Sequence, residues 1–330
     1  MANCVFATAM IRSNEKKLLT ADQFRTMIDS GSIDDICRTI QDAGYGSDAE
    51  PFRPNTYQKI LAERELNLFD DTLKLSKDFK VLDVLNFVND YHNIKVLLKA
   101  EALGIDRSDI LLNTGNIPAE KMAELVRDRD KSMLTENMLK AVLEASETHA
   151  RTKDPQLIDF ICDKYCFLDM ERVADECGND FVKGYIRIKV DAANLKTYAR
   201  VKAMGESWSY FSEVFVEGGN IDMTTYQRGF AEDVAQFATH FKGSMLYEAA
   251  STGRENLAKT GSFTLFEKLC DDAIIEYVRL GKEVSFGIEV VFAYYVAKQF
   301  EMTNIRVLMA GKLANMNPET IKERMRETYE

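Results

Sequence analysis

One short pattern occurs three times in this chain, at intervals that match the size of a small domain. In each copy an acidic residue stands three positions before an Asn, which is followed by an aliphatic residue and then a basic one. The copies start at Asp90, Asp191 and Glu301, so the starts lie 101 and 110 residues apart. Helical solenoids repeat every ~35 to 45 residues, so this longer period predicts three similar domains. The patterned residues are Asp90, Asn93, Lys95, Asp191, Asn194, Lys196, Glu301, Asn304 and Arg306.

Each copy also indicates where a helix ends. A Gly or an Asn follows the acid by 14 positions, at Gly104, Gly205 and Asn315. These residue types tolerate the left-handed backbone conformation that ends many helices. The pattern therefore predicts three equivalent helices, which we call the motif helices.

A second landmark recurs in the same order as the motif. Short turn-then-helix starts, which we call openings, occur around Thr20, Pro118 and Asp222, each of a residue type favoured at a helix start. Thr20 and Gln23 also have the spacing of a capping box. The opening precedes the motif Asn by 73, 76 and 82 residues. A fourth opening at Asn317 follows the third motif, so we predict three units with the start of a fourth.

Glycine and asparagine mark the breaks between these units. Gly115-Asn116 and Gly218-Gly219-Asn220 stand just before the second and third openings. We therefore predict helical repeats over 1–115, 116–218 and 219–330, the last with a trailing C-terminal helix.

The composition favours long helices throughout. The chain has five prolines, and none lies between Pro155 and Pro318, where strand-rich domains would need more turns. Apolar periodicity and helix propensity predict helices over 57–79, 81–103, 133–148, 263–280 and 288–313, and another that begins at Asp154-Pro155. We predict an all-α fold.

Charge and hydropathy exclude several classes of partner. The net charge of −11 opposes direct binding to nucleic acid or to anionic lipid headgroups. The longest apolar run, residues 290–297, is far shorter than the roughly 20 residues that span a bilayer. The apolar N-terminal residues are followed, not preceded, by positive charge, so no secretion signal is predicted. Any membrane location should therefore depend on a protein partner.

Cysteine spacing leaves a metal site as the weaker of two interpretations. Cys162 and Cys166 would share one face of a helix, and Cys177 follows a few turns later. Structural zinc usually takes four ligands, and neither His149 nor His240 has ligand-like spacing to this group. We predict buried, reduced thiols and no metal or cofactor.

Familiar catalytic signatures are absent. The chain has no complete phosphate-binding loop, although Gly281-Lys282 and Gly311-Lys312 match the end of one, and no metalloprotease or nucleophile-elbow motif. With three histidines, acid–base chemistry would fall to carboxylates.

Trp208 admits two interpretations, an anchor for a partner or a residue of the core.

The motif admits two interpretations as well. The acid and the Asn share one helical face, whereas the base lies on another. The first interpretation is structural, with the acid and Asn attaching the motif helix to a neighbour while the base faces water. In the second, three equivalent helices converge about a pseudo-threefold axis and present these groups to a partner.

The C-terminal third resembles a known family. The segments Phe286-Gly-Ile-Glu289, Tyr294-Tyr295, Glu301-Met-Thr-Asn304-Ile305-Arg306 and Ile321-Lys-Glu323-Arg324 are similar to the end of the C subunit of the V/A-type rotary ATPases, whose counterpart in the eukaryotic vacuolar enzyme is the d subunit. Asn194-Leu-Lys196 with Ala199 to Met204 resembles its middle repeat, and Met10-Ile11-Arg12 its N-terminal opening. The resemblance spans the chain, with two departures. Val290 stands where the family usually has Pro, and the N-terminal segment before Met10 matches the family only weakly.

The resemblance implies a non-catalytic rotor subunit. Family members have three similar helical domains in a pseudo-threefold, funnel-like arrangement. They couple the central shaft, made by the D and F subunits, to the proteolipid ring, and transmit torque for ion transport or ATP synthesis. It implies a single copy within a hetero-oligomeric complex, peripheral on the cytoplasmic face of the membrane.

Two alternatives remain beside this resemblance. The first is a soluble all-α enzyme with an unrecognised carboxylate site, and the second is a general helical adaptor. In the rotor interpretation, Lys95, Lys196 and Arg306 are candidate contacts with the shaft.

Overall fold

The computed structural model describes residues 2–75 and 80–330. All the regular elements in these ranges are helical, which confirms the all-α prediction. The helices are α1 (Ala2–Glu15), α2 (Ala21–Asp29), α3 (Ile33–Asp42), α4 (Tyr57–Leu75), α5 (Asp83–Leu103), α6 (Ala119–Asp128), α7 (Glu136–Thr152), α8 (Pro155–Cys177), α9 (Asp180–Met204), α10 (Trp208–Val214), α11 (Met223–Gly229), α12 (Val234–Thr239), α13 (Arg254–Thr260), α14 (Thr264–Arg279), α15 (Ile288–Leu313) and α16 (Pro318–Lys322).

Capping residues explain where several of these helices begin and end. The Thr20–Gln23 capping box forms at the start of α2, as predicted. Helix α7 begins three residues later than predicted because the Thr135 side chain accepts a hydrogen bond from the amide of Met138. Helix α15 has the predicted bounds. Helix α4 begins at Tyr57 as predicted, whereas its predicted end at Phe79 lies outside the described residues.

The chain divides into two compact units. One comprises Met1–Asp78 with Ala231–Glu330, and the other comprises Phe79–Phe230. The three-repeat division and the pseudo-threefold, funnel-like arrangement stay predictions. Among the described helices, none combines the length and the hydropathy that a membrane crossing requires.

The unit of residues 79–230 is built around its longest helices. Helix α5 packs against α6 and α8, α7 packs against α8, and α9 packs against α8 and α10. Beside α9, the rings of Tyr198, Phe211, Tyr226 and Phe230 form a cluster with centroids 5.2 to 5.9 Å apart. These contacts fix the positions of two of the three motif helices, α5 and α9.

The other unit is built around α15. The apolar run from Val290 to Ala297 is buried in its core, and α15 packs against α1, α4 and α14. Arg12 of α1 donates hydrogen bonds to the carbonyl groups of Gly281, Lys282 and Val284, at 3.1, 3.0 and 2.7 Å. This guanidinium therefore attaches α1 to the loop that follows α14.

Candidate functional site

The three motifs lie on α5, α9 and α15, as the repeat predicts. All three acids and all three asparagines are buried, with at most 5% of the residue surface exposed. The residues predicted to end the helices, Gly104, Gly205 and Asn315, have positive φ angles of 65°, 75° and 52°. The repeat in the sequence is therefore also a repeat in local structure.

Each motif asparagine binds the backbone of one residue further along the chain. Its amide nitrogen donates to the carbonyl of that residue, and its amide oxygen accepts from the N–H of the same residue. The pairs are Asn93 with Leu112 (2.8 and 2.8 Å), Asn194 with Val216 (2.7 and 2.9 Å), and Asn304 with Arg326 (2.9 and 2.9 Å). One side chain therefore makes both backbone hydrogen bonds of the bound residue. The segment around that residue can lie against the motif helix without a strand partner.

The first two motif acids bind the openings that follow them in the sequence. Each aspartate accepts hydrogen bonds from two consecutive backbone amides. Asp90 accepts from Asn116 and Ile117, just before α6, both at 3.0 Å. Asp191 accepts from Asn220 and Ile221, just before α11, also both at 3.0 Å. The aspartate thus connects its motif helix to the opening that follows it in the sequence.

A glycine lies against each of these two carboxylates. A Cβ atom on Gly115 would lie 2.2 Å from Asp90 Oδ1, and one on Gly219 would lie 2.2 Å from Asp191 Oδ1. Both distances are shorter than non-bonded contact allows, so the carboxylate approaches the backbone only because residues 115 and 219 lack a side chain. From the sequence, these glycines were predicted only as boundaries; the shared Gly-Asn-Ile before both openings was the available signal.

The third motif binds the first opening. Glu301 Oε2 accepts a hydrogen bond from the Leu19 amide at 2.6 Å, just before α2. Its other oxygen accepts from the hydroxyl of Tyr45 and from Nζ of Lys298, both at 2.5 Å. Nothing in the repeat pattern pointed to Tyr45 or Lys298, because neither has a counterpart in the other two motifs.

Helix α16 follows its motif in the same way as α10. It lies between Asn304 and the bound residue Arg326, as α10 lies between Asn194 and Val216. A helix does begin at Pro318 with Asn317 as its N-cap. Its place relative to the motif matches that of α10, and its interpretation as the start of a fourth unit stays a prediction.

Burial shifts the pKa values of these groups. Loss of solvent raises the pKa of Asp90 to about 6, and the amides of Ile117 and Asn116 only partly oppose this rise. The pKa of Asp191 is raised for the same reason. Burial lowers the pKa of Lys298, against the attraction of Glu301. Burial, followed by the charge of Glu301, holds the pKa of Tyr45 well above its usual range.

The three motif bases lie apart from the buried acids. Lys95 Nζ is 2.5 Å from Asp163 Oδ1, and Arg306 Nη2 is 2.7 Å from Glu65 Oε2. Lys196 is half-buried. The structure therefore brings each acid and asparagine together on one face and leaves the bases on others, and contact between these bases and a partner stays a prediction.

The remaining candidate residues have structural surroundings. Trp208 is half-buried, with its ring 5.8 Å from Phe211 and 5.5 Å from Phe230. Cys162 and Cys166 are buried and free, and burial raises the pKa of Cys162 to about 12. In the part of the chain that the structure describes, no group of three or more His, Cys, Asp or Glu side chains could hold a metal ion.

Comparison with known proteins now identifies the family. The sequence profile of the ATP synthase (C/AC39) subunit family matches residues 7–324. The chain belongs to this family. The C subunit of the A-type ATP synthase of Methanocaldococcus jannaschii is 25% identical, with 98% of this chain and 86% of that protein covered.

Two further relatives agree with this assignment. The C subunit of the V-type sodium ATPase of Enterococcus hirae is 26% identical, with 97% of both chains covered. The C subunit of the V-type ATP synthase of Thermus thermophilus is 22% identical, with 92% of both covered. The resemblance to the C subunits of V/A-type ATPases is thus confirmed.

Proposed function

We propose that this chain is a non-catalytic subunit of the central rotor in a V/A-type ATPase. In this role it couples the D and F subunits of the shaft to the proteolipid ring and transmits torque between them. It works as a single copy within the complex, peripheral to the membrane on its cytoplasmic face. Support comes from the family match over residues 7–324 and from relatives named as the C subunits of A-type and V-type enzymes.

The observation that carries this proposal is the repeated attachment of the motif helices by buried side chains. A part that transmits torque must resist deformation. Each motif asparagine is bound through two hydrogen bonds to the backbone of a distant residue, and each motif acid is bound to an opening. Buried, fully paired polar groups rigidify a fold, because any displacement leaves them unpaired in a medium of low dielectric constant.

The same contacts argue against the alternative of a carboxylate enzyme. Asp90, Asp191 and Glu301 are the carboxylates that the sequence singles out, and all three are buried and bonded to groups of this chain. A catalytic acid or base must come within hydrogen-bond distance of a substrate. These carboxylates therefore serve the fold.

The proposal is tested in membranes that lack this chain. We expect such membranes to lose ATP-driven ion transport while the catalytic head still hydrolyses ATP, because hydrolysis is no longer coupled to the ring. Adding the purified chain back should restore transport. A matched control adds the same amount of chain after heat denaturation. Full ATP-driven transport in its absence would refute the rotor function.

The partners are tested by purification of the tagged native chain from detergent-solubilised membranes. We expect the D and F subunits and the proteolipid to be recovered together with ATPase activity. A chain recovered alone from the soluble fraction would instead support the enzyme alternative and a substrate screen.

A further inference from the structure

We infer that Glu301, Leu19, Tyr45 and Lys298 form a selective latch that holds the first opening of the chain against the third motif helix. In the first two motifs the acid binds the opening of the next repeat, whereas Glu301 binds an opening 282 residues away in sequence. The three motifs and three openings are thereby connected in a cycle, with each motif acid bound to one opening.

The openings occupy equivalent positions in this cycle. Ile117, Ile221 and Leu19 each donate a backbone N–H to a motif acid, at 3.0, 3.0 and 2.6 Å. Each of these residues also stands two positions before the first residue of its helix, α6, α11 or α2. Leu19 is therefore the counterpart of the two isoleucines.

The third motif acid is a glutamate, whereas the other two are aspartates, and the longer side chain fits its opening. Two positions before the bonded residue, the second and third openings have Gly115 and Gly219, whereas the first has Lys17. A Cβ atom at the glycine positions would lie 2.2 Å from an aspartate oxygen. An aspartate placed in the same way against Lys17 would therefore collide with its side chain. Glutamate, longer by one methylene, reaches the Leu19 amide from further away.

Glu301 also uses a different set of donors. The amide that precedes the bonded one, that of Leu18, donates to the Glu15 carbonyl at 3.1 Å and so is already paired. Lys298 and the Tyr45 hydroxyl supply the donors that Asn116 and Asn220 supply elsewhere. A buried polar contact of this kind can select one pairing among similar alternatives. In this chain the contact makes α15 bind the first opening rather than the second or the third.

The C-terminal end of α2, the helix of this opening, is attached to α15 as well. Lys312 Nζ donates to the carbonyl groups of Ile28 and Ser30, at 2.6 and 2.7 Å, where α2 ends. A cation at this position interacts favourably with the negative end of the helix dipole. Glu301 and Lys312, both on α15, therefore hold the two ends of α2.

Sequence separation gives a reason for the additional contacts. Asp90 and Asp191 bind amides 27 and 30 residues away, whereas Glu301 and Leu19 are separated by 282. Bringing together more distant segments costs more conformational entropy, although the cost grows slowly with length. During folding, a short chain segment keeps the second and third openings near their motif acids. No such segment keeps the first opening near Glu301.

The latch is tested by hydrogen–deuterium exchange on the full chain, independently of any ATPase assay. The variant Glu301→Asp keeps the charge and removes the reach to Leu19. We expect exchange at the amides of residues 19–28 to become at least about tenfold faster, with α5 and α9 unchanged. Glu65→Gln is the matched control, because it removes another ion pair to α15, with Arg306, outside the latch. Unchanged exchange at residues 19–28, or an equal rise in α5 and α9, would overturn the inference.

Selectivity is tested by converting the third pairing to the type of the first two. Lys17→Gly and Leu18→Asn, combined with Glu301→Asp, create a Gly-Asn-Leu opening opposite an aspartate. We expect this triple variant to recover more than about half of the protection lost in Glu301→Asp alone. If Glu301→Asp does not fold, Tyr45→Phe, which removes one donor, supplies the milder test and should speed exchange at residues 19–28 selectively. A triple variant no better protected than Glu301→Asp would contradict the selective role.

Discussion

Gly115 lies so close to Asp90 that a Cβ atom on residue 115 would be 2.2 Å from the carboxylate oxygen. We therefore expect Gly115→Ala to lower the free energy of unfolding by about 1 to 3 kcal/mol, the usual cost of inserting a methyl group into a packed site. Urea denaturation measures this change. Gly31→Ala is the matched control, because a Cβ there meets no atom within 4 Å. Equal stability of the two variants would show that the carboxylate moves aside without cost.

The pair of Asn194 and Val216 predicts a larger loss. Asn194→Ala leaves the buried N–H and C=O of Val216 without partners, and each unpaired group costs about 1 to 3 kcal/mol. We expect the two groups together to lower the free energy of unfolding by about 2 to 6 kcal/mol. Asn113→Ala, at an exposed position between α5 and α6, is the control. A loss below about 1 kcal/mol would mean that water replaces the asparagine.

Asp90 predicts a pH dependence of stability. Its pKa is raised by burial to about 6 in the folded chain, from 3.8, so the folded state binds this proton more tightly than the unfolded state. The stability that the protonated carboxyl contributes is complete below about pH 4 and is lost as the pH rises through about 6.

The measurement compares wild type with Asp90→Asn at several pH values. We expect the wild type to gain stability relative to the variant, by about 1 to 2 kcal/mol, as the pH falls from 7 to 5. Asp191 and other titrating groups are common to both proteins and cancel. A difference that stays constant over this range would contradict the raised pKa.

The buried pair of Lys298 and Glu301 predicts strong non-additivity. Lys298→Met leaves the Glu301 carboxylate buried without its cation, which costs about 3 to 5 kcal/mol. We expect the double variant Lys298→Met, Glu301→Gln to lose less than the sum of the single variants in a double-mutant cycle. Arg25→Met, which breaks an exposed pair with Asp22, should cost at most about 1 kcal/mol. Additive losses would refute the coupling.

The motif bases provide the test of the proposed contact with the shaft. Reversal of Lys95, Lys196 and Arg306 to Glu should weaken binding to the reconstituted D and F subunits by about tenfold or more, with unchanged helical content by circular dichroism. The control reverses three bases outside the motifs, Lys121, Arg127 and Lys140, for the same change in net charge. Equal binding by the two folded triple variants would remove these residues as shaft contacts.

The sequence predicted the elements of this fold better than their connections. Acid and asparagine three residues apart on a helix must share a face, so the spacing alone predicted that Asp191 and Asn194 lie side by side. That this face is buried rather than presented to a partner came from the structure. Their partners could not be predicted, because a backbone amide or carbonyl has no signature in the sequence. The contact between Glu301 and Leu19 was hidden for a second reason, since only the folded chain brings residues 282 positions apart together.

The asparagine contacts leave the side chain of the bound residue unspecified. The residues they bind are Leu112, Val216 and Arg326, an aliphatic pair and a cation. An amide that binds only the peptide group places no demand on the side chain attached to it. The side chain at these positions can therefore change by mutation while the attachment persists. The three attachments can in this way stay the same while the side chains along the bound segments differ.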